Sequence, residues 1–275
     1  MRKLVFVAVL GTAVGPALAQ ENLPAFDVVS VKRNLSNSDR QSMQLLPGGR
    51  IEVTNTPLRR LILTAYELFP ERLSGGPDWI DSDRFDIAAR SSENLGPSVP
   101  GGPPGRAQLM LQRLLAERFG LAVHTEAREL PVYELILARA DGRLGPGISP
   151  AKFDCPALFA AYGRGEAPMP PTSQCGGSGM SGRIVMRGGT MPMFVRSLSG
   201  LTGRIVQDRS GLSGGFDFEL EFAPESGAVS ESSTAGANGT SLFTALEEQL
   251  GLKLRPARQS VGVTVIDRVE RPSKN

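Results

Sequence analysis

The sequence predicts an α+β protein of two pseudo-repeated modules, each a mixed sheet with two helices packed on one face. Three observations predict it. Helical apolar spacing occurs in two stretches of each copy, strand-like alternation flanks those stretches, and the same succession of signals is written twice along the 275-residue chain. Helices separated by short strands, with strands following one another directly at the end of each copy, fit an α+β layer.

In the first copy residues 26–31 and 50–54 alternate as strands. Leu58, Leu61, Ile62 and Ala65 then recur at i, i+3, i+4 and i+7, which predicts a helix with Thr56 as its N-cap and Pro57 in its first turn. A Leu-Ser-Gly-Gly turn starting at Leu73 leads to a strand over 84–88 that contains Phe85-Asp86-Ile87. A second helix presents Leu111, Leu114, Leu115 and Phe119 on one face, and Gly120 supplies the left-handed C-cap. Two strands, 121–125 and 132–137, follow it.

The second copy repeats this order. A strand over 183–186 precedes a helix whose Met191, Phe194, Val195 and Leu198 keep the spacing of the first, with Thr190 as N-cap and Pro192 in the first turn. Leu-Ser-Gly-Gly recurs at Leu212, followed by a strand over 216–222 containing Phe216-Asp217-Phe218. The last helix carries Leu242, Ala245, Leu246 and Leu250, closes at Gly251, and is followed by strands over 252–255 and 261–266.

The remaining segments set the domain plan. Residues 1–19 read as a signal peptide: Arg2 and Lys3 are followed by an apolar run too short to span a bilayer, and Ala17-Leu18-Ala19 is a small-residue cleavage site, which places the mature protein in the periplasm or outside the cell. The first module spans 20–139 with a Gly/Pro/Ser-rich loop at 91–105, expected to be mobile. An irregular connector spans 140–181, and the second module spans 182–275 with a similar loop at 224–239. Cys155 and Cys175 both fall in the connector. In an oxidising compartment a disulfide is the simpler reading, worth about 3 kcal/mol for a loop of that length, with two free thiols as the alternative. The chain carries 30 Lys and Arg against 28 Asp and Glu, and without Arg2 and Lys3 the signs balance. Neutrality argues against a nucleic-acid partner, which needs a dense positive face. No later run is long and apolar enough for a membrane span.

Reactive residues are sparse. Gly211-Leu212-Ser213-Gly214-Gly215 matches the spacing of a hydrolase nucleophile elbow, but that motif needs a strand before the serine and a helix after it, whereas here a strand follows. The only imidazole is His124, in a strand, and a tight glycine turn is the better reading of Leu212 to Gly215. Asp78, Asp81, Asp83 and Asp86 group around Trp79. Such carboxylates bind hard cations or act as general acid and base, yet Asp81-Ser82-Asp83 lacks the central glycine and closing Glu of a calcium loop. Asp78 reads as a turn residue, Asp81 as a cap, Asp83 as a partner for Arg84, and Trp79 as a core anchor or, alternatively, a stacking platform for a ligand. Trp79, Asp78, Asp81, Asp83 and Arg84 are therefore the candidate ligand- or partner-binding residues. No metal centre and no cofactor are expected, since dinucleotide, phosphate-loop and zinc patterns are missing.

Several runs resemble one family in particular. Phe26-Asp27-Val28-Val29-Ser30-Val31-Lys32, Gly48-Gly49-Arg50, Ala65-Tyr66, the block from Gly75-Gly76-Pro77-Asp78-Trp79-Ile80 to Asp83-Arg84-Phe85-Asp86-Ile87, and Gly188-Gly189-Thr190-Met191 resemble the DUF3738 family of exported proteins from soil bacteria, notably Acidobacteria. The resemblance covers essentially the whole mature chain and implies export, with no activity to carry over. The second copy is also similar in pattern to the short N-terminal domain of secretins and TonB-dependent receptors, which implies binding of other proteins. A duplicated scaffold without a shared reactive residue points to a non-enzymatic binding or interaction module of the periplasm or cell exterior, with a protein or envelope polymer as partner. The alternative is a secreted hydrolase using the loop carboxylates.

Overall fold

A computed structural model describes residues 23–36, 38–46, 48–92, 95, 104–180, 182–223 and 239–272. The expected signal peptide lies outside the described residues, as do most of the loops at 91–105 and 224–239. The chain runs β1 (Val28–Asn34), β2 (Ser42–Leu46), β3 (Arg50–Pro57), α1 (Leu58–Ala65), β4 (Leu73–Gly75), α2 (Trp79–Ser82), β5 (Arg84–Arg90), α3 (Arg106–Phe119) and β6 (Ala122–Leu137). It continues through β7 (Ile148–Pro150), α4 (Cys155–Gly163), β8 (Gly176–Met180), β9 (Arg183–Thr190), α5 (Met191–Thr202), β10 (Val206–Asp208), β11 (Gly215–Glu221), α6 (Leu242–Ala245) and β12 (Leu252–Arg268).

These strands make three four-stranded sheets, and the protein is α+β. Two sheets are antiparallel, in the orders β1-β5-β3-β2 and β7-β11-β9-β8. The third, β10-β6-β12-β4, is mixed: β6 and β12 run antiparallel, and β4 and β10 add in parallel at its edges. Leu73–Gly75 pairs with Thr264–Ile266 at one end of the long β6–β12 pair, and Val206–Asp208 pairs with Tyr133–Leu135 at the other.

Apolar spacing positions the helices as expected. Leu58, Leu61, Ile62 and Ala65 of α1 and Leu111, Leu114, Leu115 and Phe119 of α3 are buried in one core with Val53, Phe85 and Ile87. Met191, Phe194 and Leu198 of α5 are buried in a second core with Phe216, Phe218 and Leu246. Gly120 and Gly251 both adopt left-handed φ, 58° and 68°, and end their helices; α6 reaches Gly251 through a π-helical turn, Leu246–Leu250. The expected threonine caps are corrected. Thr56 is still in β3, where its hydroxyl donates to the Thr54 carbonyl at 2.9 Å, and Pro57 takes the N-cap position. Thr190 does occupy the N-cap of α5, without a side-chain capping bond.

Each pair of expected strands after the second helices is one strand. β6 passes through Pro131 because residues two apart along a strand point their N–H groups the same way, and the Tyr133 N–H goes outward to the Ile205 carbonyl. The N–H that Pro131 lacks would face that same edge, just before β10 begins, so no bond to β12 is lost.

The two Leu-Ser-Gly-Gly runs are not counterparts in the structure. Leu73 to Gly75 form the edge strand β4, whereas Leu212 to Gly214 lie in the loop between β10 and β11, with left-handed φ at Gly211 and Gly214. The strand that holds β4's place in the second half is Val206–Asp208, which shares with it only the buried apolar first residue. The two Phe-Asp runs, by contrast, sit at matching bulges. Asn55 (φ 51°) bulges β3 against β5 and donates its N–H to Asp86 at 2.8 Å, and Gly188 (φ 64°) bulges β9 against β11 and donates its N–H to Asp217 at 2.8 Å.

The connector at 140–181, expected to be irregular, contains β7, α4 and β8 and so supplies both outer strands of the antiparallel β7-β11-β9-β8 sheet. Its cysteines form a disulfide, Cys155–Cys175, with the Cα atoms 5.5 Å apart and both residues buried. Among the described residues no helix is long and apolar enough to cross a membrane.

Candidate functional site

The residues singled out in the sequence around Trp79 come together as a clasp. Asp83 is 7% exposed, and both of its oxygens are engaged, one by Arg33 of β1 at 2.7 Å and the other by Arg271 at 2.8 Å. Its expected partner, Arg84, is displaced because strand register carries that side chain into β5 opposite Asn34 and Pro57. Asp81 is held by Arg59 of α1 at 2.6 Å rather than capping a helix through its side chain. Asp78 is exposed at the start of α2, where its carbonyl accepts the Asp81 N–H at 3.1 Å. Trp79 packs edge-on against Phe85 of the first core, and the Arg271 guanidinium lies 5.0 Å from its ring centre. One face of the indole therefore already carries a cation. A carboxylate gripped by two guanidinium groups is a tie between β1, the end of α2 and the chain's last described residues.

Nor do the serine and histidine assemble. Ser213 sits in a loop between two strands, without the strand-to-helix turn of a nucleophile elbow. His124 lies in β6 opposite Val265, and its Nδ1 is 2.7 Å from Asp267. Nearby, the Arg128 guanidinium bonded to Glu126 holds that carboxyl below its ordinary range, and Arg255 does the same to Glu134 farther along the strand. Carboxylates tuned downward are ion-pair partners, not candidate acids at neutral pH.

Among the described residues of the second half, two concavities stand out. One, of about 650 Å³, separates the loop before α4 from the loop after β10 and includes Lys152, Asp154, Asp208 and Ser213. Its acids are engaged locally: Asp154 caps α4 through the Ala157 N–H at 3.1 Å, and Asp208 accepts from Ser210. The other, of about 570 Å³, is a groove between α5 and the β8–β9 edge. Ile184 and Met186 form its floor, Met193 and Leu201 its helical wall, and Ser178, Ser197 and Arg196 contribute polar groups.

This groove exists because β8 is bare on that side. Gly177 pairs with Met186 and Gly179 with Ile184, two and four residues before the bulge at Gly188. In the first half Met43 pairs with Val53 and Leu45 with Ile51, the same steps before the bulge at Asn55, and Met43 packs on the first core. Neither Gly177 nor Gly179 has left-handed φ, and a Cβ on Gly179 would meet nothing within 4 Å. Nothing in the surroundings requires glycine at 179, whereas at 177 a Cβ would come 3.3 Å from the Met186 side chain. The sequence signal was a glycine at alternate positions of a strand, hidden because 140–181 reads as irregular.

Fold and site together define an α+β protein with two cores, a shared central sheet and an apolar groove beside one sheet edge. The chain belongs to the family described as protein of unknown function (DUF3738), whose model matches residues 59–269. No curated protein and no solved structure matches it.

Proposed function

We propose that this is an exported, non-enzymatic binding protein and that the groove between α5 and the β8–β9 edge is its binding surface. The bare strand carries the reading: Gly177 and Gly179 leave open, above a floor of Ile184 and Met186, a space that in the first half is partly filled by Met43 packing on its core. Small-molecule and peptide sites have this character, a mainly apolar concavity with a few polar groups at its walls. Export is supported by the buried Cys155–Cys175 disulfide, which persists in oxidising compartments, and by the signal-like residues 1–19. The carboxylate-hydrolase alternative required Asp81 and Asp83 without cationic partners, and arginines hold both.

Gly179→Leu tests the reading without knowledge of the ligand. A leucine there removes the entropic cost of a strand glycine and covers apolar floor, so the variant is expected to gain about 0.5–1 kcal/mol in urea unfolding. The unaltered protein should bind an anilinonaphthalene sulfonate probe, and the variant should lose that binding. A large loss of stability would mean that packing demands the glycine, and the binding reading would fall.

A further inference from the structure

We infer that the occupant of this groove is an extended polypeptide strand that adds to the open edge of β8, an inference that rests on the groove being the binding surface. β8 is the last strand of its sheet: one edge pairs with β9 from Gly176 opposite Arg187 to Met180 opposite Arg183. Its other edge has no strand against it among the described residues. That edge offers backbone donors and acceptors at strand spacing, and only another extended chain matches them along their length.

The groove beside the edge fits such a chain's side chains. Residues two apart in a strand are about 7 Å apart and point to the same face, so one added strand would send alternate side chains over Gly177 and Gly179 towards Ile184, Met186 and the α5 wall. An apolar side chain over Gly177 would supply what Met43 supplies to the first half from within the chain, and a second, over Gly179, would extend the contact along the groove. Arg196 adds a charge preference. It is exposed on the groove wall, with its guanidinium 5.5 Å from the Phe69 ring centre and donating to the Glu67 carbonyl at 3.3 Å, and no carboxylate faces it among the described residues. An acidic side chain or a C-terminal carboxylate on the added strand would complete it. A single-tailed amphiphile would meet the apolar wall and Arg196 but leave the β8 edge unpaired, so a strand accounts for more of the surface.

The experiment is selection of displayed random peptides of about ten residues on the purified full chain, with counter-selection on Gly179→Leu. One enriched peptide is then synthesised with and without N-methyl groups at alternate positions, and dodecanoate is titrated in parallel. The expected winners alternate apolar residues and carry an acid. N-methylation in one phase should weaken binding roughly tenfold while the other phase is tolerated, since only every second N–H faces β8. Arg196→Gln should weaken binding several-fold and flatten its salt dependence. If dodecanoate binds the unaltered protein but not Gly179→Leu, and no peptide is enriched, the groove stands and the strand is wrong. If neither probe distinguishes the two proteins, the groove reading fails as well.

Discussion

Asp86 and Asp217 each accept a backbone N–H from a residue that their neighbouring strand has forced into left-handed φ, so their carboxylates hold two bulges in place. Asp86 does more, because Asn34 also donates to both of its oxygens, at 2.8 and 3.0 Å. Replacing Asp217 by alanine leaves the Gly188 N–H without its charged acceptor and should cost about 1–3 kcal/mol in denaturant unfolding. Asp86→Ala should cost more than Asp217→Ala, and equal losses would show that Asn34 contributes nothing. Only half of this was legible beforehand. The Phe-Asp pattern is visible twice in the sequence, but a one-letter acid does not say which N–H it faces, so Asp86 read as part of an acidic cluster. The same limit displaced Arg84: its charge is written in the sequence, while the register that takes it away from Asp83 is set by pairing with distant strands.

Helix α4 and the residue just before strand β8 are tied by the disulfide, and the tie explains a glycine. A Cβ placed on Gly188 would come 2.0 Å from the Cys155 sulfur and 2.9 Å from its Cβ, whereas the corresponding bulge in the first half tolerates Asn55, whose side chain reaches the Ser38 and Arg40 carbonyls. Gly188→Ala therefore carries two penalties, a left-handed φ and a collision with the bridge, and about 2–4 kcal/mol is the expected loss. In a background with both cysteines changed to alanine the contact with the sulfur is gone, while the close approach to the Cβ of residue 155 and the φ strain remain. The alanine at 188 should then cost less than in the bridged protein, about 1–2 kcal/mol. Additive losses in that double-mutant comparison would remove the disulfide from the explanation. At this scale helices were legible and short strands were not. Four apolar positions at helical spacing identify a buried face, but the three residues of β4 or β10 become a strand only because β12 or β6 lies alongside. The shared Leu-Ser-Gly-Gly letters misled for that reason, since four identical residues carry no information about which partner strand is present.

Across the whole molecule, the β6–β12 pair decides how the two cores depend on each other. β6 gives Val123 to the first core and Tyr133, Leu135 and Leu137 to the second; β12 gives Leu252 and Leu254 to the second and Ile266 to the first, with Val269 packing just beyond it. Each core is thus closed by residues from the other half of the sequence, and each parallel edge strand pairs with the far end of a strand from the opposite half. Helices α1 and α3 contain enough apolar surface to collapse, but without β12 the strand β4 has no partner and the first core loses Ile266. A fragment of residues 20–139 should consequently unfold without a cooperative transition, and so should one of residues 140–275. Mixed in equal amounts, they should regain a single sigmoidal transition and dispersed amide resonances, because the long antiparallel ladder can form between chains as well as within one. Cooperative unfolding of the first fragment alone would show that each half closes its own core, and the exchange of strands would then be an incidental consequence of chain length rather than the feature that makes the two halves one molecule.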